Sequence, residues 1–155
     1  MVMCTPVAML TRGTTVVCCS SAPLTGRTHH HTSPELGKEA FARFLRRLLR
    51  YGRGTRRLVI HGRAAQHKGR PIDTVLQDAQ GRLVLRPQPA YPPELNPQER
   101  MWKWLRRVVI HQHGFEALNE QVQAPRDFFC YLAGVKAQVR HLCALKTSES
   151  LVASL

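Results

Sequence analysis

The chain reads as an α/β protein, and three observations carry that reading. Leu58-Val59-Ile60 and Leu83-Val84-Leu85 are continuous apolar triplets, the pattern of strands covered on both faces. Between them Pro71 can open a helix whose Ile72, Val75, Leu76 and Ala79 share one face, with Gly81 beyond its end. Strand, helix and strand within about thirty residues make a βαβ unit, whose parallel crossover is right-handed in ~98% of cases. Chemistry in such sheets sits just past the carboxyl ends of the strands, here His61-Gly62-Arg63 and Arg86-Pro87-Gln88.

The flanking elements follow in order. Pro6–Leu10 and Thr14–Cys19 are short, partly β-branched runs joined across Arg12-Gly13, which predicts a hairpin. Residues 20–34, rich in Ser, Thr, His and Pro, predict a loop. From Lys38 to Tyr51, Phe41, Phe44, Leu45, Leu48 and Leu49 recur at helical spacing with Arg43, Arg46, Arg47 and Arg50 opposite. After the proline-rich stretch from Pro87 to Pro93, Asn96 can cap and Pro97 can begin a helix running through Glu99, Trp102, Leu105 and Val109. Two more helices are predicted, Phe115–Val122 and Pro125–Cys143, the second with Phe128, Leu132, Val135, Val139 and Leu142 on one stripe. Residues 1–34 are read as a hairpin and loop, 35–145 as the core and 146–155 as a tail.

Charge points to a polyanionic partner. The 155 residues carry 23 Lys and Arg against 10 Asp and Glu, a net charge of +13. The excess is local, because residues 35–110 hold 17 basic and 6 acidic side chains. DNA is the natural partner for such a surface. The five cysteines lack a repeated spacing and no signal peptide precedes them, which suits a reduced, cytoplasmic, nucleoid-associated setting. The apolar runs fall far short of the ~20 residues of a membrane helix, so no membrane partner is expected.

The segment Tyr91-Pro92-Pro93-Glu94-Leu95-Asn96-Pro97-Gln98-Glu99-Arg100-Met101-Trp102 closely resembles the signature of DDE-superfamily transposases of the mariner-related bacterial insertion sequences. The resemblance runs back through Leu58–Lys68 and forward through the C-terminal helices. It implies an RNase H-like fold in which three carboxylates hold two divalent ions, Mg in the family, for cleavage and strand transfer of transposon DNA. Two such ions stabilise the attacking and leaving oxygens of an in-line displacement.

By motif position Glu99 matches the third carboxylate. The second should be an Asp at the end of Leu58-Val59-Ile60 followed by a His; Gly62 stands there, with His67 five residues on. The spacing of Gly62 to Glu99, 36 intervening residues, suits the family better than a register placing His61 at that point. The first Asp belongs on a strand before the predicted hairpin, so the resemblance implies a fold lacking its first strand. The whole reads as a truncated, inactive copy with one metal ligand of three, Glu99, since losing part of a set that acts as a unit loses most of the catalysis.

Arg63, Lys68, Arg100, Lys103, Arg106 and Arg107 are the candidate DNA contacts. Intact transposase or a second copy of the chain are further candidate partners, which would make the protein a non-catalytic DNA-binding or transposase-regulating fragment. Glu99 also has a local reading as the third helical residue of a capping box with Asn96, and the basic residues have one as solvated helix faces. Cys4, Cys18 and Cys19 with His29-His30-His31 invite zinc, but adjacent cysteines are poor tetrahedral partners. Trp102 and Trp104 are read as packing residues.

Overall fold

The computed structural model describes residues 2–11, 13–51, 54–88, 97–110 and 118–143. Its centre is a five-stranded mixed sheet in the order β3-β2-β1-β4-β5. Strands β1 (Val2–Thr11) and β2 (Gly13–Ala22) form the predicted hairpin, with Thr11 opposite Gly13 and Met3 opposite Ser21. Strands β4 (Arg57–His61) and β5 (Leu83–Pro87) pair in parallel across helix α2 (Arg70–Asp78), as the βαβ pattern requires.

The expectation of an absent first strand is corrected here. β1 lies between β2 and β4, antiparallel to the one and parallel to the other through Val2–Val59, Met3–Ile60 and Cys4–His61. The sheet therefore has its central strand, and the hairpin is the middle of the sheet rather than its border. Residues 20–34, read as a loop, hold β3 (Arg27–Ser33), antiparallel to β2. Between these strands Gly26 has φ +68°, and a Cβ there would collide with the carbonyl of Lys136, so the turn needs glycine.

Alternation along β2 builds two cores. Val16 and Cys18 pack with Phe41, Phe44, Leu45 and Leu48 of α1 (Lys38–Arg50), with Ile72 and Val75 of α2, and with Val59. Val17 and Cys19 pack on the other face with Met101, Trp102 and Leu105 of α3 (Pro97–Leu105), Phe128, Phe129 and Leu132 of α4 (Leu118–Gly134), and Val139 and Cys143 of α5 (Lys136–Cys143). A wide turn, Arg106–Ile110, extends α3.

The C-terminal helices divide differently from the sequence pattern. Pro125 is buried inside α4 rather than opening a helix, and the break falls after Gly134, where the predicted Pro125–Cys143 helix splits. A proline inside a helix removes one backbone bond, and the apolar packing of Phe128, Phe129 and Leu132 holds this one. Among the described residues no helix is long and apolar enough to cross a membrane.

Candidate active site and basic surfaces

At the carboxyl end of β4 the structure brings His61, Gly62 and His67 together. A short 3-10 turn, Ala65–His67, is closed by the His67 amide donating to the Ala64 carbonyl and folds His67 back against the strand end. The Gly62 carbonyl accepts hydrogen bonds from Nδ1 of His61 at 2.7 Å and from Nδ1 of His67 at 2.6 Å. Both rings therefore carry their proton on Nδ1. His67 is buried at 2% exposure, 4.4 Å from the Phe41 ring and edge-on to His61 at 5.2 Å. Burial lowers its pKa, the bond to Gly62 opposes that, and His61 adds to it. The neutral imidazole is the stable form.

Glu99 lies in the first turn of α3, and its carboxylate pairs with the Arg106 guanidinium at 3.8 Å. Asn96, its partner in the capping reading, lies outside the described residues, as does the motif from Tyr91 to Leu95. What positions Glu99 is its neighbour Gln98, fully buried, which sequence reasoning missed. Gln98 Nε2 donates to Cys19 Sγ at 2.7 Å, its Oε1 accepts from the Ser21 hydroxyl at 3.1 Å, and Cys143 donates to Ser21 at 3.5 Å. This polar bridge fastens the start of α3 to β2. Burial raises the Cys19 pKa well above that of an ordinary thiol, with Cys18 and Cys143 adding and Gln98 opposing, so Cys19 is a packed thiol rather than a nucleophile.

These groups do not fit a pair of Mg²⁺ ions, which are hard cations held in octahedral oxygen sites by one or two carboxylates each. β1 has no acidic residue, and the residue in register with His61 is Cys4. The Gly62 carbonyl is taken up by two imidazole donors, and Glu99 is ion-paired. Among the described residues no three His, Cys, Asp or Glu converge to hold a metal.

The basic candidates fall into separate places. Arg63 Nε donates to the Gln88 carbonyl at 3.1 Å, tying the ends of β4 and β5 together, and Lys68 is exposed beyond the turn. Arg106 serves Glu99. Arg100, Lys103 and Arg107 line a cleft of about 810 Å³ between α3 and α5 with Trp104, Gln138 and His141. Arg100 donates to the Leu142 carbonyl at 3.3 Å. Trp104 is edge-on to Phe128 and Tyr131 while also facing the cleft, whereas Trp102 is fully packed. The helical spacing of Arg100, Lys103, Trp104 and Arg107 is readable from sequence; the opposite wall, from α5, is not.

A family model described as DDE superfamily endonuclease matches residues 8–120. A search of curated proteins found no match. Among solved structures, the Mos1 transposase catalytic domain with Raltegravir and Mn is similar at 15% identity and a TM-score of 0.65, covering 92% of this chain and 78% of that one. The Mos1 strand transfer complex is similar at 15% identity and a TM-score of 0.61, covering 92% of this chain and 52% of that one. A chain of the simian T-cell lymphotropic virus intasome in complex with PP2A regulatory subunit B56 gamma is similar at 7% identity and a TM-score of 0.56, covering 79% of this chain and 45% of that one. At such identities the likeness is one of fold.

Proposed function

The chain belongs to the DDE superfamily endonucleases, and from that premise we infer that it is a degenerate member, a DNA-binding protein that has kept the RNase H-like scaffold and lost Mg-dependent strand cleavage. The observation that carries this reading is the end of β4, where two histidines bond to the Gly62 carbonyl at the place the motif assigns to an aspartate. The adjoining strand β1 supplies no acid. The loss is therefore one of side chains, not of the strand that would bear them.

DNA binding rests on the α3–α5 cleft. Arg100, Lys103 and Arg107 line one wall and His141 the other, with Trp104 adding an apolar surface. Cations in such a cleft release counterions from a phosphate backbone when they bind it. The similar Mos1 structure is a strand transfer complex and the viral one an intasome, and we read the chain as retaining the nucleic-acid-binding half of such work.

Two measurements on the same purified chain test this. Supercoiled plasmid incubated with Mg²⁺ or Mn²⁺ should remain unnicked above the no-protein background, while a salt series on a duplex should show affinity falling steeply with salt. Metal-dependent nicking that survives removal of Glu99 would point to contamination. Nicking that disappears in Glu99→Gln would overturn the loss of catalysis, and no duplex binding at low salt would overturn the binding half.

A further inference from the structure

Helix α1 carries a second basic surface on the opposite face of the sheet from the α3–α5 cleft, since it packs on Val16 and Cys18 whereas α3, α4 and α5 pack on Val17 and Cys19. Arg43, Arg46, Arg47 and Arg50 lie at i, i+3, i+4 and i+7 on its exposed side, a row about 10 Å long at ~1.5 Å per residue. With His31 and Tyr51 they line a cleft of about 650 Å³. The Arg43 guanidinium donates to the Ser33 hydroxyl at 3.3 Å, which fixes one end of the row along β3.

Among the described residues no acidic side chain is ion-paired with this row, and Glu39, four residues before Arg43, does not pair with it. Like charges at these spacings oppose helix formation, so the row is held at a cost to α1. The half-exposed Tyr51 ring is stacked on His29 at 4.7 Å, a planar surface at the end of the row.

A single phosphate does not need four guanidinium groups spread over about 10 Å. A strand of nucleic acid does, since that length spans about three nucleotide steps at ~3.4 Å each, and the planar guanidinium fork matches phosphate oxygens two at a time. We propose that the α1–β3 cleft is a second nucleic-acid docking surface, which takes the phosphodiester backbone of a duplex on the face of the sheet opposite the α3–α5 cleft. The chain then has two backbone-binding faces and can bridge two duplex segments. The α1 surface stands independently of whether the α3–α5 cleft binds DNA.

The test is a salt series by fluorescence anisotropy on the full chain with a short blunt DNA duplex. Replacing Arg46, Arg47 and Arg50 together by Gln should flatten the slope of log K against log salt by about 2.7, at ~0.9 for each phosphate that is no longer neutralised. The charge-keeping replacement by Lys at the same three positions should restore it. A variant with Arg100, Lys103 and Arg107 changed to Gln should keep the α1 component, and salt-dependent binding as a whole should vanish only when both sets are changed. An unchanged slope in the α1 Gln variant overturns the proposal, as does failure of the Lys variant to restore it, which would mark a folding effect. Loss of binding to phosphatidylserine vesicles with an unchanged DNA slope overturns it in favour of a membrane surface. If only the α3–α5 variant loses binding, the α3–α5 reading stands and this one falls; if only the α1 variant does, the reverse holds.

Discussion

His67 donates its Nδ1–H to the carbonyl oxygen of Gly62 across 2.6 Å. The bond closes the link after β4 and buries an imidazole against Phe41, so the end of the strand is occupied by packing where the family motif implies metal chemistry. His67→Ala removes the bond and leaves a void beside Phe41. It should destabilise the chain by about 2–4 kcal/mol, read as a lower urea midpoint with an unchanged slope, and no change in DNA affinity should accompany it.

Gly62→Asp should fold. Its Cβ would meet only Cε1 of His67, at 4.0 Å, and the backbone there is not in the left-handed region. The melting temperature should stay within about 5 °C, since away from special sites a substitution costs little. The variant should show no metal-dependent plasmid nicking, because β1 contributes no second acid. Metal-dependent nicking by this single variant would mean that the ligand set is more nearly complete than the strand ends indicate.

Gln98→Leu tests the bridge between α3 and β2. It removes the hydrogen bonds to Ser21 and Cys19 and leaves a buried hydroxyl without its acceptor. A loss of about 2–3 kcal/mol in chemical denaturation is expected. The start of α3 should also become more open to amide hydrogen exchange, because the bridge is what holds it to the sheet.

Acid sensitivity should arise partly from β3. Burial, then Arg47, Arg126 and the neighbouring histidines lower the His30 pKa from 6.5 to about 4. The unfolded chain takes up this proton below pH 6.5 and the folded chain resists it until about pH 4. Stability from this group is therefore complete above pH 6.5 and is lost as pH falls toward 4. The ring is partly open to solvent, which screens the effect, so the loss amounts to about 1–2 kcal/mol. His30→Gln should flatten that part of the pH–stability curve, measured by thermal melts at fixed ionic strength.

Arg100, Lys103 and Arg107 changed together to Gln should weaken duplex binding and lower the salt slope by up to about 2.7, with the melt lowered by the lost Arg100–Leu142 bond but still cooperative. Anisotropy titrations at several salt concentrations decide this. Equal affinity at all salts would remove the α3–α5 cleft from the DNA-binding surface.

The parts of the fold written in local patterns were legible. Leu58-Val59-Ile60, Leu83-Val84-Leu85 and the helix between them form the parallel pair, and the α1 periodicity places Phe41, Phe44, Leu45 and Leu48 in the core. β3 was not legible, because Thr28-His29-His30-His31-Thr32 has no apolar run. Its alternation is met by partners from two layers, with His29 stacked on Tyr51 after α1 and His30 stacked on Phe129 of α4. The place of β1 was hidden for a different reason. A hairpin can be read from its own residues, but pairing with β4 lies more than fifty residues away and leaves no mark in either segment. At the site, the motif points to Gly62 and His67, which do meet. Gln98 gives no such signal, because a buried amide looks like any other glutamine until its partners on β2 are seen.

β2 separates the two halves of the molecule by one residue. Val16 and Cys18 belong to the core under α1, Val17 and Cys19 to the core under α3, α4 and α5. An inserted or deleted codon in this strand would exchange the two sets at a stroke, and the tight hairpin at Thr11–Gly13 leaves no slack to absorb it. A gene drifting away from catalysis can thus lose acids at the strand ends one point mutation at a time and still encode a folded protein. Its strand register through β2 has no such freedom, so single-codon indels there should be the first changes to abolish the fold.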